Sequence, residues 1–378
     1  MKNRYPRLVF TLVALTAIHA ATHAGIFDSK NSVASEVASI HETNGIDSLD
    51  FSPDGSLLVA AKYYYSHSAQ VWNWSQSRRV GPEFKHDNLS TLNSNALHFS
   101  ADGAKAMWCG NVVAIWNVTD GVEKYRQTEK RGENVCSAAV YAPNGDTVWM
   151  SQISYARRMH TLAAYDTTTW QLIWKLESPN FFPSAFSLSF DGNIAAIAGR
   201  FYSGEKDSHG GLISTQRLRV IDLLNRRQIR DFPTCPNETS LPCGEIAALA
   251  WSADGKSLAV GFRGIPHDGS DAIQILDGAT GEMLSREPGP RGTAVRGVRF
   301  TPDGKYLIVA GISKSVKIWD GKHTKLLQEI LAEPASIAVS RDGHYLALGG
   351  KTFGLGNFSR LLGLLAPSKG KAIIYQLK

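Results

Sequence analysis

The segment Phe51-Ser-Pro-Asp-Gly55 is the first of seven copies of a short motif that decides the fold. Each copy places Asp-Gly or Asn-Gly between two apolar stretches. Such pairs favour β-hairpins because glycine adopts a positive φ angle without a steric penalty. The turn glycines lie 39 to 63 residues apart, which predicts seven hairpins along the chain. The other copies are Phe99-Ser-Ala-Asp-Gly103, Tyr141-Ala-Pro-Asn-Gly145, Ser189-Phe-Asp-Gly192, Trp251-Ser-Ala-Asp-Gly255, Phe300-Thr-Pro-Asp-Gly304 and Val339-Ser-Arg-Asp-Gly343.

A second motif follows each hairpin and predicts a third strand. It alternates apolar and variable positions and then reaches a bulky residue and Asp, Asn or Gln, as in Val316-Lys-Ile-Trp-Asp320. Alternation with a period of two is typical of a half-buried strand. A further apolar stretch, such as Leu326 to Leu331, supplies a fourth strand. The other copies begin at Ala69, Val113, Leu162, Leu218, Ile273 and Ala372.

Four strands repeated seven times resemble the WD-repeat β-propeller family, and Trp319-Asp320 is a Trp-Asp pair of the kind that names it. The resemblance implies an all-β fold, a seven-bladed β-propeller of four-stranded antiparallel blades. Blade seven has three strands before the chain ends at Lys378. Because an open ring would present unpaired strand edges, we expect Ser35 to His41 to supply the missing strand.

The N-terminus has the pattern of a secretory signal peptide over residues 1–24. Lys2, Arg4 and Arg7 precede an apolar run from Leu8 to Ala21, and small residues follow at positions 22 and 24. A membrane anchor is the alternative, but a mostly apolar run of 14 residues is short for a bilayer span. We therefore expect residues 25–378 to form one exported, monomeric propeller in a periplasm or outside the cell, with no stable membrane span.

Charge argues against a nucleic-acid partner. The formal net charge is +6, and removal of the three leader cations would leave +3. Nucleic-acid binders instead present clustered basic stripes.

The four cysteines predict one disulfide and leave a second open. Cys235 and Cys243 bracket a short loop, and in an oxidising compartment a bridge is favoured over free thiols or a metal site. Cys109 and Cys136 are expected near one face, either bridged between blades two and three or buried as thiols.

One face of the propeller is the candidate binding surface. We call it the long-loop face: it carries the loops between second and third strands and the links between blades, including expected loops at Ile153–Thr161 and Arg200–Gln216. Arginine and aromatic residues are enriched in interface hot spots, and a cationic mouth favours an acidic protein or peptide. A solvated rim without function is the alternative. The candidate residues are Lys62, Tyr63, Tyr64, Tyr65, Arg157, Arg158, Arg200, Phe201, Tyr202, Arg263 and Lys351, with Phe358, Leu361 and Leu362 from an apolar loop in blade seven.

No motif for a nucleophile, a metal site or a phosphate-binding loop is recognised. The histidines, including His160, are expected singly on loops, so no metal and no cofactor is predicted. The favoured interpretation is a non-catalytic scaffold for a protein or peptide. The alternative is a quinoprotein-like or lactonase-like enzyme, because Asp166-Thr-Thr-Thr-Trp170 resembles part of the quinoprotein blade signature.

Overall fold

The computed structural model describes residues 32–62, 68–85, 97–127, 135–206, 208–233, 245–263, 273–287, 294–311, 315–351 and 370–378. These residues form 28 strands in seven four-stranded antiparallel sheets, and no helix occurs among them. The prediction of an all-β, seven-bladed propeller is therefore confirmed.

The strands follow the chain from blade to blade after an initial strand, β1 (Ala34–Glu42). Blades one to three contain β2 (Ile46–Phe51), β3 (Leu57–Lys62), β4 (Ser68–Asn73) and β5 (Arg78–Lys85); β6 (Leu97–Phe99), β7 (Lys105–Trp108), β8 (Val113–Asn117) and β9 (Glu123–Gln127); and β10 (Val135–Tyr141), β11 (Thr147–Ser154), β12 (Met159–Asp166) and β13 (Leu172–Pro179). Blades four and five contain β14 (Phe181–Leu188), β15 (Ile194–Lys206), β16 (Leu212–Asp222) and β17 (Arg227–Pro233); and β18 (Glu245–Trp251), β19 (Ser257–Arg263), β20 (Ile273–Asp277) and β21 (Met283–Glu287). Blades six and seven contain β22 (Val295–Phe300), β23 (Tyr306–Gly311), β24 (Val316–Asp320) and β25 (Leu326–Ile330); and β26 (Pro334–Val339), β27 (Tyr345–Lys351) and β28 (Gly370–Leu377).

The turns between the first and second strands are stabilised by hydrogen bonds from side chains within the turn. In blade one, the Ser52 hydroxyl donates to Asp54 Oδ1 at 2.5 Å and accepts from the Leu57 amide at 2.8 Å. Gly55 has a φ of 72°, and its amide donates to the Ser52 carbonyl. A local side-chain cap of this kind fixes six of the seven hairpins, and in blade three Ala142 stands at the position of the hydroxyl residue. The same pair of hydroxyl bonds recurs at Ser100, Ser189, Ser252, Thr301 and Ser340.

The core lies between the blades. Apolar side chains from adjacent sheets interleave, and Phe84 of β5 stacks on Trp116 of β8 with ring centroids 5.3 Å apart. A second aromatic pair joins the next two blades, where Tyr125 stacks on Trp170 at 4.6 Å. Each sheet thus buries its faces against its neighbours, and the ring stays rigid behind its loops.

The N-terminal strand β1 closes the ring, as predicted. It pairs antiparallel with β28 from Ala34↔Leu377 to Glu42↔Gly370, one residue longer at each end than expected. Ile40 is buried in the core, whereas Val37 lies at a register irregularity and is 45% exposed. We call β1 the clasp strand.

Side chains pin both ends of the clasp strand to the flanking blades. Gln328 of blade six accepts from the amides of Val33 and Ala34 at 2.9 and 2.8 Å and donates to the Ala34 carbonyl at 3.1 Å. At the other end, Glu42 accepts from the Trp72 indole of blade one at 3.1 Å. The closing strand is therefore tied to blades six and one as well as to blade seven.

Two segments expected as loops are mostly strand. Only residues 155–158 separate β11 from β12, and residues 200–206 and 212–216 belong to β15 and β16. Arg200 pairs with Gln216 and Tyr202 with Ser214, so this hairpin continues past the rest of blade four. The expected loop is a β-hairpin because the backbones of β15 and β16 pair with each other. This pairing depends on two separate segments, so neither segment alone predicts it.

The disulfide between Cys109 and Cys136 is present, with 5.3 Å between the Cα atoms. Cys109 follows β7 of blade two and Cys136 lies in β10 of blade three, and both are buried. The bridge thus covalently joins adjacent blades.

Two other predictions fall outside the described residues: the leader at 1–24, and the Cys235–Cys243 bridge. Among the residues that are described, no helix is long and apolar enough to span a membrane.

Candidate functional site

Five of the predicted binding residues lie close together where blades three and four meet. Arg157 and Arg158 occupy the turn between β11 and β12, and Arg200, Phe201 and Tyr202 lie in β15. The Arg158 guanidinium lies 5.6 Å from the centre of the Tyr202 ring. Arginine–aromatic contacts of this kind combine a charge with a rigid apolar surface.

Backbone hydrogen bonds hold this turn, the interblade link and the long hairpin in one arrangement. The Asn180 amide donates to the Arg158 carbonyl at 2.7 Å, and the Tyr202 amide donates to the Asn180 carbonyl at 3.0 Å. Arg158 and Asn180 both have positive φ angles, 50° and 55°. Left-handed backbone is uncommon for residues other than glycine, so tertiary bonds fix these two positions.

Three aromatic rings form a connected surface beside the arginines. The Phe182 ring lies 6.1 Å from the Tyr155 ring and 5.4 Å, edge to face, from the Tyr202 ring. Tyr155 is 50% exposed, and Phe182 pairs across the sheet with Arg200. We define the rim cluster as Tyr155, Arg157, Arg158, Phe182, Arg200 and Tyr202.

Phe182 belongs to the rim cluster but not to the predicted set. It follows the interblade link at Asn180, at the start of β14. The adjacent Phe181-Phe182-Pro183 directly after the link is the signal that could have found it.

Phe201 faces the other side of β15 from the rim cluster. It packs against the core between blades three and four, and the Arg217 guanidinium lies 5.8 Å from its ring. Arg217 and Arg219 are both engaged by Asp231, at 2.6 and 3.2 Å. Arg217 and Arg219 thus share one carboxylate, whereas Arg157, Arg158 and Arg200 of the rim cluster form no salt bridge with another described residue.

Lys62 lies inside the protein rather than on the rim. Its side chain is 7% exposed and lies between two carboxylates, with Glu42 Oε2 at 3.2 Å and Glu83 Oε1 on the other side. Glu42 also accepts from Trp72 and from Arg79, each bond being 3.1–3.2 Å long. Lys62 therefore links the clasp strand to blade one and offers no exposed charge.

Comparison with known families supports the architecture. Residues 35–73 and 281–320 match the family described as WD domain, G-beta repeat. Each match starts at the outer strand of one blade and continues through three strands of the next: β1 to β4 in the first, β21 to β24 in the second. The chain is a seven-bladed β-propeller in which two repeats match the WD-domain family. WD-repeat propellers commonly act as protein-interaction scaffolds and typically lack catalytic activity. No curated protein matches the sequence.

The first match shows why the propeller closes with its N-terminal strand. A repeat begins with the outer strand, so the first copy supplies that strand to a blade whose other strands come last in the chain. The clasp strand is thus the ordinary first strand of a repeat, used to join the two ends of the ring.

Two of the remaining predicted residues, Arg263 and Lys351, lie in other blades of the propeller. Arg263 is exposed at the end of β19 and lines the central cavity. The backbone of Lys351 pairs with Gly370 in blade seven. Tyr63, Tyr64, Tyr65, Phe358, Leu361 and Leu362 lie outside the described residues.

His160 is a buried core residue, which corrects its expected place on a loop. It lies in β12, its Nε2 is 3.0 Å from the Ser151 hydroxyl, and its ring contacts Phe181. Burial, with a smaller effect of Arg219, lowers the pKa of His160 to about 3. The imidazole is therefore neutral at physiological pH. In the part of the chain that the structure describes, no group of three or more His, Cys, Asp or Glu residues could hold a metal ion.

Proposed function

We propose that this WD-repeat propeller is an exported, non-catalytic scaffold that binds a protein or peptide through its long-loop face. The rim cluster is the main contact surface, and the partner carries acidic residues. The observation that carries the proposal is a group of three arginines beside a connected set of aromatic rings, on a backbone held by hydrogen bonds. Arg157 and Arg200 are exposed, and Arg158 is half-buried against Tyr202.

The charge of the rim cluster favours an acidic partner. Among the described residues, Arg157, Arg158 and Arg200 form no salt bridge, whereas the neighbouring Arg217 and Arg219 are held by Asp231. A guanidinium group binds carboxylates through parallel hydrogen bonds, and adjacent cations increase the encounter rate with an acidic surface.

The rigidity of the site also supports binding. Because the turn, the link and the hairpin are bonded to one another, little conformational entropy would be lost when a partner docks. Tyrosine and arginine dominate the energetically important positions of protein interfaces. Export rests on the leader sequence and is supported by the interblade disulfide, which suits an oxidising compartment.

A triple alanine variant tests the proposal. Arg157→Ala, Arg158→Ala and Arg200→Ala together should abolish the capture of partners by the tagged chain from its native compartment. Arg227→Ala is the matched control, because that arginine is 71% exposed on the outer strand of blade four, away from the rim cluster.

Thermal unfolding separates lost binding from lost folding. Arg157→Ala and Arg200→Ala are exposed substitutions that should cost less than about 0.5 kcal/mol each, and Arg158→Ala removes one cation–π contact worth about 0.5–1 kcal/mol. The triple variant should therefore lose no more than about 2 kcal/mol and remain folded. Capture of the same proteins by the wild type and the triple variant would refute the assignment of the rim cluster.

A further inference from the structure

The central cavity of the propeller is polar on one side and apolar on the other. It has a volume of about 600 Å³ and is lined mainly by the innermost strands. Blades six and seven contribute Arg296 and Arg299 of β22 and Arg341 of the last Asp-Gly turn. Blade four contributes Phe186 and Leu188 of β14.

Positive charge is in excess in this cavity. Among the described residues that line it, four guanidinium groups accompany two carboxylates, those of Asp47 and Asp50. In a concave space with low-dielectric walls, such an excess concentrates the electrostatic potential and attracts anions.

Asp50 is shared by several donors and cannot neutralise them all. Its Oδ2 accepts from the Phe99 amide at 2.9 Å and lies 3.8 Å from His98 Nδ1, and both Arg299 and Arg341 act on its charge. Burial raises the pKa of Asp50, and burial lowers the pKa of Arg299 while Asp50 opposes that shift. Charged groups that have lost solvent in this way are stabilised by a further counter-ion.

We propose that the central cavity binds a small organic anion that has a carboxylate group and an apolar body. The carboxylate contacts Arg296 and Arg299, and the apolar body packs against Phe186, Leu188 and Phe190. The volume suits a ligand of this size, since small-molecule sites of about 300–1,000 Å³ are common in proteins. This site is separate from the rim cluster and does not depend on the proposed scaffold function.

Calorimetric titration of the full chain with 4-phenylbutyrate tests the proposal, with 4-phenylbutyramide as the uncharged analogue. We expect saturable binding of the carboxylate, weaker binding at high ionic strength, and none of the amide. Replacement of Arg296 or Arg299 with glutamine should weaken binding about ten- to a hundred-fold, as expected for loss of a hydrogen bond to a charged group.

Controls keep the test decisive. Arg157→Gln in the rim cluster should leave phenylbutyrate affinity unchanged, so failure of this site and failure of the scaffold proposal are distinguishable. If Arg299→Gln does not fold, Arg296→Gln, at a half-buried position, carries the test alone. Absence of saturable binding up to about 10 mM, equal binding of the amide, or unchanged affinity in the cavity variants would overturn the proposal.

Discussion

The contribution of the clasp strand to stability can be measured with two substitutions on the same strand. Ile40 is 1% exposed and packs with the core shared by blades seven and one, whereas Val37 is 45% exposed three residues earlier. Ile40→Ala removes three buried carbons, and Val37→Ala removes two carbons that largely face solvent. Only the first change should alter packing between the blades.

The expected difference follows from the number of buried carbons. At roughly 0.8 kcal/mol per carbon, Ile40→Ala loses about 2.4 kcal/mol of transfer free energy, and the cavity left behind raises the cost to about 3–4 kcal/mol. Val37→Ala should cost no more than about 0.5 kcal/mol. A total stability of roughly 5–15 kcal/mol is typical of a folded domain, so the loss at Ile40 is large.

Urea unfolding followed by tryptophan fluorescence measures both effects. The midpoint should fall clearly for Ile40→Ala and hardly at all for Val37→Ala, with the same denaturant dependence in both. If the two variants unfold within about 0.5 kcal/mol of each other, the clasp strand does not contribute its inward side chains to the core, and our account of closure is wrong.

Three further perturbations test other contacts in the ring. Replacing Cys109 and Cys136 with alanine should lower the free energy of unfolding, measured in urea, by about 3–4 kcal/mol, from the loop entropy of a 27-residue separation. Lys62→Met should cost about 3–5 kcal/mol in the same assay because it leaves two carboxylates facing each other, whereas Lys85→Met, at a 72% exposed position, should cost less than about 1 kcal/mol. Burial alone would raise the pKa of Glu83, but hydrogen bonds from Lys62, Lys85 and Ser68 lower it from 4.5 to about 2. Its contribution to stability is therefore present above pH 4.5 and lost as the pH falls towards 2. Urea midpoints measured across this range should fall less steeply in Glu83→Gln than in the wild type.

The blade count and the closure could be predicted because their signals are local. Each Asp-Gly turn carries its own serine or threonine cap, so a stretch of about six residues is enough to specify the hairpin. The clasp strand could be recognised because its alternation resembles that of other outer strands and because the ring required one more strand. These conclusions needed no knowledge of which blades touch.

The length of the blade-four hairpin could not be predicted in this way. Residues 200–206 contain several polar residues and an exposed glycine, Gly204, which has a φ of 90°. Such a composition is typical of a loop. They form a strand because β16 pairs with them, and the Tyr202 amide also donates to the Asn180 carbonyl of the interblade link. The length of these two strands is thus determined by their pairing with each other, whereas the local sequence determines only where the turn lies.

The position of Lys62 shows the same limit for the candidate site. Its two carboxylate partners lie about 20 residues away on either side, in the clasp strand and in β5. Only closure of the ring brings Glu42 beside blade one. The sequence therefore predicts that Lys62 lies at the end of a strand. It does not predict whether the side chain is exposed to solvent or paired with a buried carboxylate.

The pins at the two ends of the clasp strand explain how diverged repeats can still close in one register. A slip of one residue along β28 would turn Ile40 towards solvent, as in any strand whose side chains alternate. The same slip would also separate Gln328 from the Val33 and Ala34 amides in blade six and Glu42 from Trp72 in blade one. Loss of the Glu42 contact would leave the buried Trp72 indole N–H without its acceptor, at a cost of about 1–3 kcal/mol, and the partly buried amides of Val33 and Ala34 would lose theirs. The register of the clasp strand against β28 is thus specified by contacts to three blades. The short repeat motifs therefore have to specify only the individual sheets.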